Sequence, residues 1–432
     1  MDWLRPYGLI INGVLERGLE IAVVDGVIQE IRASSHKSES FILSAAFVNA
    51  HSHLEYRGMQ DKIEHPEYYE WIYELTRLKQ LETEQFVRAQ CFVAALENLR
   101  AGVRFIGEHS DRPGSAEAMA RHGLGGWIFH EVITSGSPDV AATLTGVQAK
   151  MEQARKLIAA NFADEASSSS PHNYSRPGPI DPVTGQEERS SLAIGLRNER
   201  AWIGTSMSPH AYFTVNHETL RMLGEQTAPI SIHVAETKHE SNFTKYGKGP
   251  IAERRTKFGV PFDIYGQSVV EVLDGLGVLR AGTQCVHTCD VDENDIAIMT
   301  KRGVTVAHCP RSNIRLQCPN APMREILDAG MTVGLGLDSP ASGGKIDMFA
   351  EMRSALDVSE RRGRPLTGEE VWRMATSHGY RSFGQPGEIP WDIEAGTTTP
   401  LIRIEINGVV KSTADVIRHG WAWTGARLPP GR

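Results

Sequence analysis

Cysteine is scarce in this chain, with five residues in 432 at positions 91, 285, 289, 309 and 318. An odd set without framework spacing excludes a disulfide scaffold and fits a reduced compartment, so a cytoplasmic location is expected. Cys285-x-x-x-Cys289 has no second pair of matching spacing, which argues against a structural zinc knuckle. No apolar run approaches the roughly 18 residues of a membrane span. The opening Met1-Asp-Trp-Leu-Arg-Pro lacks the basic start and apolar stretch of a secretory leader. Positive charge is also missing in excess: the net charge is −8 and Lys and Arg are scattered, without the electrostatic footprint of a nucleic-acid binder. The partner expected is a small molecule, neither nucleic acid nor membrane.

What is present is an ordinary globular composition, 41% hydrophobic and 23% charged. A barrel of alternating strands and helices takes about 250 residues, so the length suggests one large domain with an appendage. Residues 8 to 33 alternate apolar and polar positions around the turn signals Asn12-Gly13 and Asp25-Gly26. Residues 402 to 408 and 415 to 423 repeat that strand-like texture. Both ends are therefore expected to form one small β-sandwich, residues 1–45 with 386–432, because an isolated hairpin cannot bury its face.

Between them, eight apolar, β-branched runs alternate with helical ones: 47–51, 103–107, 127–132, 202–207, 230–234, 284–287, 305–308 and 332–337. Segments such as 84–101 place apolar residues three and four apart, as a helix docked on a sheet requires. Eight strands alternating with helices predict an α/β fold of the (β/α)₈ TIM-barrel type over residues 46–385. Residues 164–192, rich in Ser, Pro and charge, read as a solvated, mobile excursion without chemistry.

The chemistry lies at the C-terminal ends of those strands, where such barrels build their sites. Phe47-Val-Asn-Ala-His51-Ser-His53-Leu-Glu55 ends the first run, and residues two apart in a strand point the same way, so both imidazoles can face one ion. The fifth run ends in His233-Val-Ala-Glu236, the sixth in His287, the seventh in His308 and the eighth in Asp338. His51, His53, His233 and Asp338 make a three-histidine, one-carboxylate set that suits one divalent metal ion, zinc first, with iron or manganese as alternatives. Glu236 is placed to carry a proton between water and a leaving nitrogen, and His287 to polarise the atom under attack. His210, in Ser208-Pro-His-Ala, is a candidate substrate contact, as are Glu108, His109 and Glu131 at lower weight. His308 is expected only to order the loop His308-Cys-Pro-Arg-Ser-Asn313. The fourth run ends without a lysine that could bridge two ions, so one metal is expected.

This ordered set, with Gly336-Leu-Asp-Ser-Pro-Ala-Ser342, resembles the amidohydrolase superfamily from about residue 8 to residue 423. Within it the chain is similar to the mononuclear branch of cytosine-, guanine- and adenosine-type aminohydrolases and triazine hydrolases. The resemblance implies a metal-activated water adding to a ring carbon and expelling ammonia. It matches His51, His53, His233 and Asp338 to the metal ligands, Glu236 to the proton shuttle, and His287 to the polarising histidine. Asp338 also helps to orient the nucleophile in such enzymes. The acidic Glu55, Trp71 in a following helix and the stretch ending at Glu240 look most like aminofutalosine deaminases, which act on an adenine-bearing substrate, so Glu55 and Trp71 join His210 as implied substrate contacts. Two departures stand out: Ala45-Ala46 replaces the usual Pro-Gly, and the excursion is long. The alternatives are the same site acting on another C–N or C–Cl bond, as in triazine hydrolases or cyclic amidases, or a barrel that only binds. Barrels of this kind often pair, which makes a homodimer an expectation.

Overall fold

A computed structural model of the chain describes residues 3–166, 202–384 and 390–422. Most of the excursion expected at 164–192 lies outside the described residues. Eight parallel strands follow in chain order: Phe47–Ser52, Val103–Ser110, Gly125–Val132, Ile203–Pro209, Ile230–Val234, Thr283–His287, Thr305–His308 and Val333–Leu335. Each matches one apolar run of the sequence. Burial on both faces explains why the runs are continuous rather than alternating: all residues of the first three strands are buried.

The ladders form two four-stranded sheets, one of the first four strands and one of the last four, each in sequential order. The expected closed ring is thus reduced to two sheets linked by single parallel bridges, Ala211 to His233 and Ser52 to Asp338. The eighth strand is only three residues long, too short to carry a ladder to the first.

A further five-stranded sheet joins both ends of the chain: Gly8–Ile11, Val14–Glu16 and Phe41–Ala45 lie with Leu401–Ile406 and Gly420–Ala422. A three-stranded sheet of Trp3–Leu4, Leu19–Val24 and Val27–Ala33 shares an apolar cluster with it, built from Leu9, Ile21, Ile28, Phe41, Leu43 and Leu401. Asn12 and Gly13, like Asp25 and Gly26, have positive φ, as a tight hairpin turn of matching twist demands. The strand expected over 415–423 is corrected. Residues Thr413–His419 form a helix, capped where Ser412 Oγ accepts from the Asp415 backbone, and only Gly420–Ala422 extend as strand. The capping box overrides a β-like pattern here.

Candidate metal centre and active site

The strand ends converge. His51 packs edge-on against His53, His233 and His287 with ring centroids 4.9, 5.0 and 5.6 Å apart. Asp338 Oδ1 lies 3.8 Å from His51 Nε2 and 3.9 Å from His53 Nε2. Overlapping sets among the described residues hold their ligand atoms within 4.8 Å of one another: His51 with His53 and Asp338, His51 with His233 and His287, His53 with Glu131 and His233, and Glu236 with His287 and Asp338.

Backbone geometry produces this convergence. Ala235, His287, Thr288 and Asp338 all adopt left-handed conformations, with φ of 49°, 73°, 48° and 53°. Non-glycine residues seldom do so, and each costs of order 1–3 kcal/mol that the surroundings must offset. Here Asp338 N–H donates to His51 O at 2.9 Å, His53 N–H to Asp338 O at 3.2 Å, and Thr288 N–H to Val234 O at 3.1 Å. The turns swing Glu236, His287 and Asp338 inward immediately after their strands.

The donor set fits a divalent cation. Both ring nitrogens of His51 and Nδ1 of His53 are buried without a hydrogen-bond partner among the described residues, a costly state unless something else satisfies them. Burial, reinforced by neighbouring histidines, pushes His51 well below the ordinary imidazole range, which keeps the ring neutral with one nitrogen lone pair free. His233 Nδ1 lies 2.7 Å from His210 O, so it donates there and leaves Nε2 as the ligand atom, a common outer contact of metal-binding histidines. Ser312 Oγ donates to Asp338 Oδ2 at 2.6 Å, leaving Oδ1 toward the histidines.

Glu236 is buried, and that burial together with the charge of Asp338 pushes its carboxyl well above the usual range. Its Oε1 lies 3.6 Å from His287 Nε2. These groups open onto a small cleft whose wall includes Tyr56, Tyr68, Trp71, Ile72, Leu75, His210 and Leu316.

The remaining sequence candidates fall into place around it. His210 and Trp71 are on the cleft wall, and burial takes His210 down to about 4. Glu55 is buried off that wall, where desolvation raises it to about 8 and its Oε1 faces Lys79 Nζ at 3.7 Å. His109 packs on His51 at 4.4 Å and bonds Ser231 Oγ at 2.8 Å. Glu131 lies 3.5 Å from His109. Burial opposes its charge, but His210, His109 and His53 hold it well below the usual carboxylate range. Glu108 accepts the Leu54 amide at 3.0 Å, fixing the turn after His53. His308 is buried at its strand end and is not on the cleft wall. Sequence reasoning missed Tyr56, which stacks on His53 at 5.0 Å and whose hydroxyl takes a bond from Lys79 at 2.9 Å. It also missed Tyr68, which lies on the cleft wall with Glu236.

A family model, Amidohydrolase family, matches residues 42–389. The chain belongs to the amidohydrolase family. It is 27% identical over 425 residues to the 5-methylthioadenosine/S-adenosylhomocysteine deaminase of Thermococcus onnurineus (strain NA1), spanning 92% of this chain and 85% of that protein. To the aminodeoxyfutalosine deaminase of Deinococcus radiodurans it is 27% identical over 364 residues, 80% of this chain and 76% of the other. In fold it resembles a zinc-bound adenosine deaminase from Xanthomonas campestris, with a TM-score of 0.74 at 19% identity over 98% of this chain and 91% of that one. It likewise resembles a zinc complex of atrazine chlorohydrolase from Arthrobacter aurescens TC1, with a TM-score of 0.68 at 15% identity over 98% and 93% of the two chains. The amidohydrolase fold is thus a hydrolase scaffold, and no described helix is long and apolar enough to cross a membrane.

Proposed function

We propose that this amidohydrolase removes the exocyclic amino group of an adenine-bearing, nucleoside-like substrate by hydrolysis and releases ammonia. The observation that carries the reading is the cluster of Glu236, His287 and Asp338 within mutual ligand distance at the mouth of an aromatic cleft. The names of the relatives, deaminases of adenine derivatives, support the substrate class. His51, His53, His233 and Asp338 would hold one divalent ion, for which zinc is the first choice and iron or manganese the alternatives. Such an ion supplies Lewis acidity that brings the pKa of water to roughly 7.

The chain's own groups do the rest. Glu236, when ionised a stronger base for its burial, takes a proton from the attacking water as the O–C bond forms and delivers it to the leaving nitrogen as the C–N bond breaks. His287 stabilises charge on the atom under attack. Trp71 offers a flat apolar face to the ring, and its indole N–H is buried without a partner among the described residues. His210 bounds the other side of the cleft.

We read the two parallel sheets as the halves of one (β/α)₈ barrel over 46–385 and the two terminal sheets as a β-sandwich of 1–45 and 386–432. All five cysteines are free, which supports a cytoplasmic setting, and a homodimer is the assembly expected of such a barrel. Ammonia release from 5-methylthioadenosine, S-adenosylhomocysteine, aminodeoxyfutalosine and a chlorinated triazine tests the substrate class. Turnover of at least one adenine derivative, with the triazine inert, is expected. Triazine turnover alone would transfer the reading to the chlorohydrolase-like alternative.

A further inference from the structure

The short helix Pro310–Arg315, which leaves the seventh strand directly after Cys309, places two neighbouring side chains against two of the cleft's working groups. Ser312 bonds Asp338, as described. Asn313, only 4% exposed, sets its Nδ2 3.0 Å from His287 Nδ1. We propose that Asn313 is the positioning residue that fixes the tautomer and orientation of His287, so that its Nδ1 is the acceptor and its Nε2 carries the proton toward the cleft. The inference rests on the reading of His287 as the polarising group and goes beyond it by naming what prepares that group.

Two contacts at opposite ends of the ring fit the same tautomer. A neutral imidazole has one N–H and one lone pair. The amide NH₂ of Asn313 is a donor, so the nitrogen that it meets must offer the lone pair. At the other end, Nε2 faces a Glu236 oxygen at 3.6 Å, a neighbour that an N–H on Nε2 suits whenever Glu236 is ionised. His287 is deeply buried, 1% exposed, so each ring nitrogen depends on these neighbours for a partner.

The anchor is itself held on both sides. Asn313 N–H donates to Cys309 O at 3.0 Å, and its carbonyl accepts from Cys318 N–H at 2.9 Å. These backbone bonds fix where Asn313 sits in the turn, while its side-chain Oδ1 is buried without a partner among the described residues. Turning the amide over would point Oδ1 at Nδ1, which inverts the tautomer and withdraws the proton from Nε2. A residue with these contacts acts on the reacting atoms only through His287.

Two substitutions separate this role from simple packing. Asn313→Asp is nearly isosteric but can only accept when ionised, so it enforces the Nδ1–H tautomer. Asn313→Ala removes the preference and leaves a mixture. Full-length protein labelled with ¹⁵N-histidine, with the His287 signals assigned by their loss in His287→Gln, reports the tautomer from one-bond N–H couplings. The wild type is expected to show the proton on Nε2, the Ala variant both forms, and the Asp variant the proton on Nδ1. In ammonia release, kcat should fall in the order wild type, Ala, Asp, by roughly 10- to 100-fold, as for other groups that orient a site from behind, with KM and metal content nearly constant. A proton on Nδ1 in the wild type overturns the proposal, as does an Asp variant that keeps the wild-type tautomer or turnover. Should the Asp variant fail to fold, the wild-type tautomer and the Ala variant still decide the matter. The spectrum does not depend on substrate identity, so a wild type inactive on every adenine derivative would overturn the proposed function while the tautomer still judged Asn313.

Discussion

His130 sits on the third strand beside Glu131, buried, with neither ring nitrogen bonded among the described residues. Desolvation, with smaller effects from Arg155 and Lys150, lowers it to about 4 from an ordinary 6.5. Between those values the unfolded chain binds a proton that the folded chain refuses, so stability is fully present above 6.5 and is lost as pH falls toward 4. Replacing His130 by Gln should therefore flatten the acid side of the stability profile. Urea unfolding at pH 7 and pH 4.5 should show the wild type losing up to about 2 kcal/mol more than the variant, and equal losses would contradict the pKa shift. At this scale the sequence displayed much of the site. His51 and His53 were readable because a strand repeats every two residues, and Glu236, His287 and Asp338 because each ends an apolar run. Glu55 was not placeable, since the chain turns into the 3₁₀ helix Leu54–Met59 and carries the side chain off the cleft wall toward Lys79. Tyr56 and Tyr68 gave no signal because tertiary packing alone brings them to His53 and the cleft wall, and Ser312 stood inside the motif after His308 without a role that the sequence assigned.

The eighth strand shows what an element contributes. Gly336 lets the backbone after that strand run close to the first one: a Cβ there would lie 2.7 Å from His51 Cβ and 2.8 Å from Cys309 Sγ. Gly336→Ala is expected to cost about 1–3 kcal/mol by overpacking and to lower metal occupancy by displacing His51. A methyl group added at Gly146, inside the helix Val140–Ala166, would meet nothing within 4 Å, so Gly146→Ala should instead stabilise by about 0.5–1 kcal/mol. Thermal melts with metal analysis check both, and a harmless Gly336→Ala would remove the reason given for the close approach. Element by element, the parallel strands were legible because most are buried apolar runs between helical segments, the fourth, Ile203–Pro209, being only partly buried. The segment 415–423 was not, because a capping box at Ser412 and Asp415 favours a helix where alternation suggested a strand.

At the level of the whole molecule, the two chain ends are tied to the catalytic layer. Trp372 Nε1 donates to Ser44 Oγ at 2.9 Å and Trp391 Nε1 to Ala46 O at 2.7 Å, both just before the first parallel strand. The stretch Ala45-Ala46, which departs from the usual Pro-Gly, is thereby held by side chains from far along the chain. The terminal sheets were foreshadowed by turn residues, whereas their joining depended on pairings across the full sequence. The central claim is that strand ends from across the molecule converge so that Glu236 moves the proton which lets ammonia leave. Glu236→Gln tests it directly, with ammonia release measured on the best adenine derivative at matched metal content. The account predicts a fall of about 10²–10⁴-fold with bound metal unchanged. Wild-type turnover in that variant would contradict it.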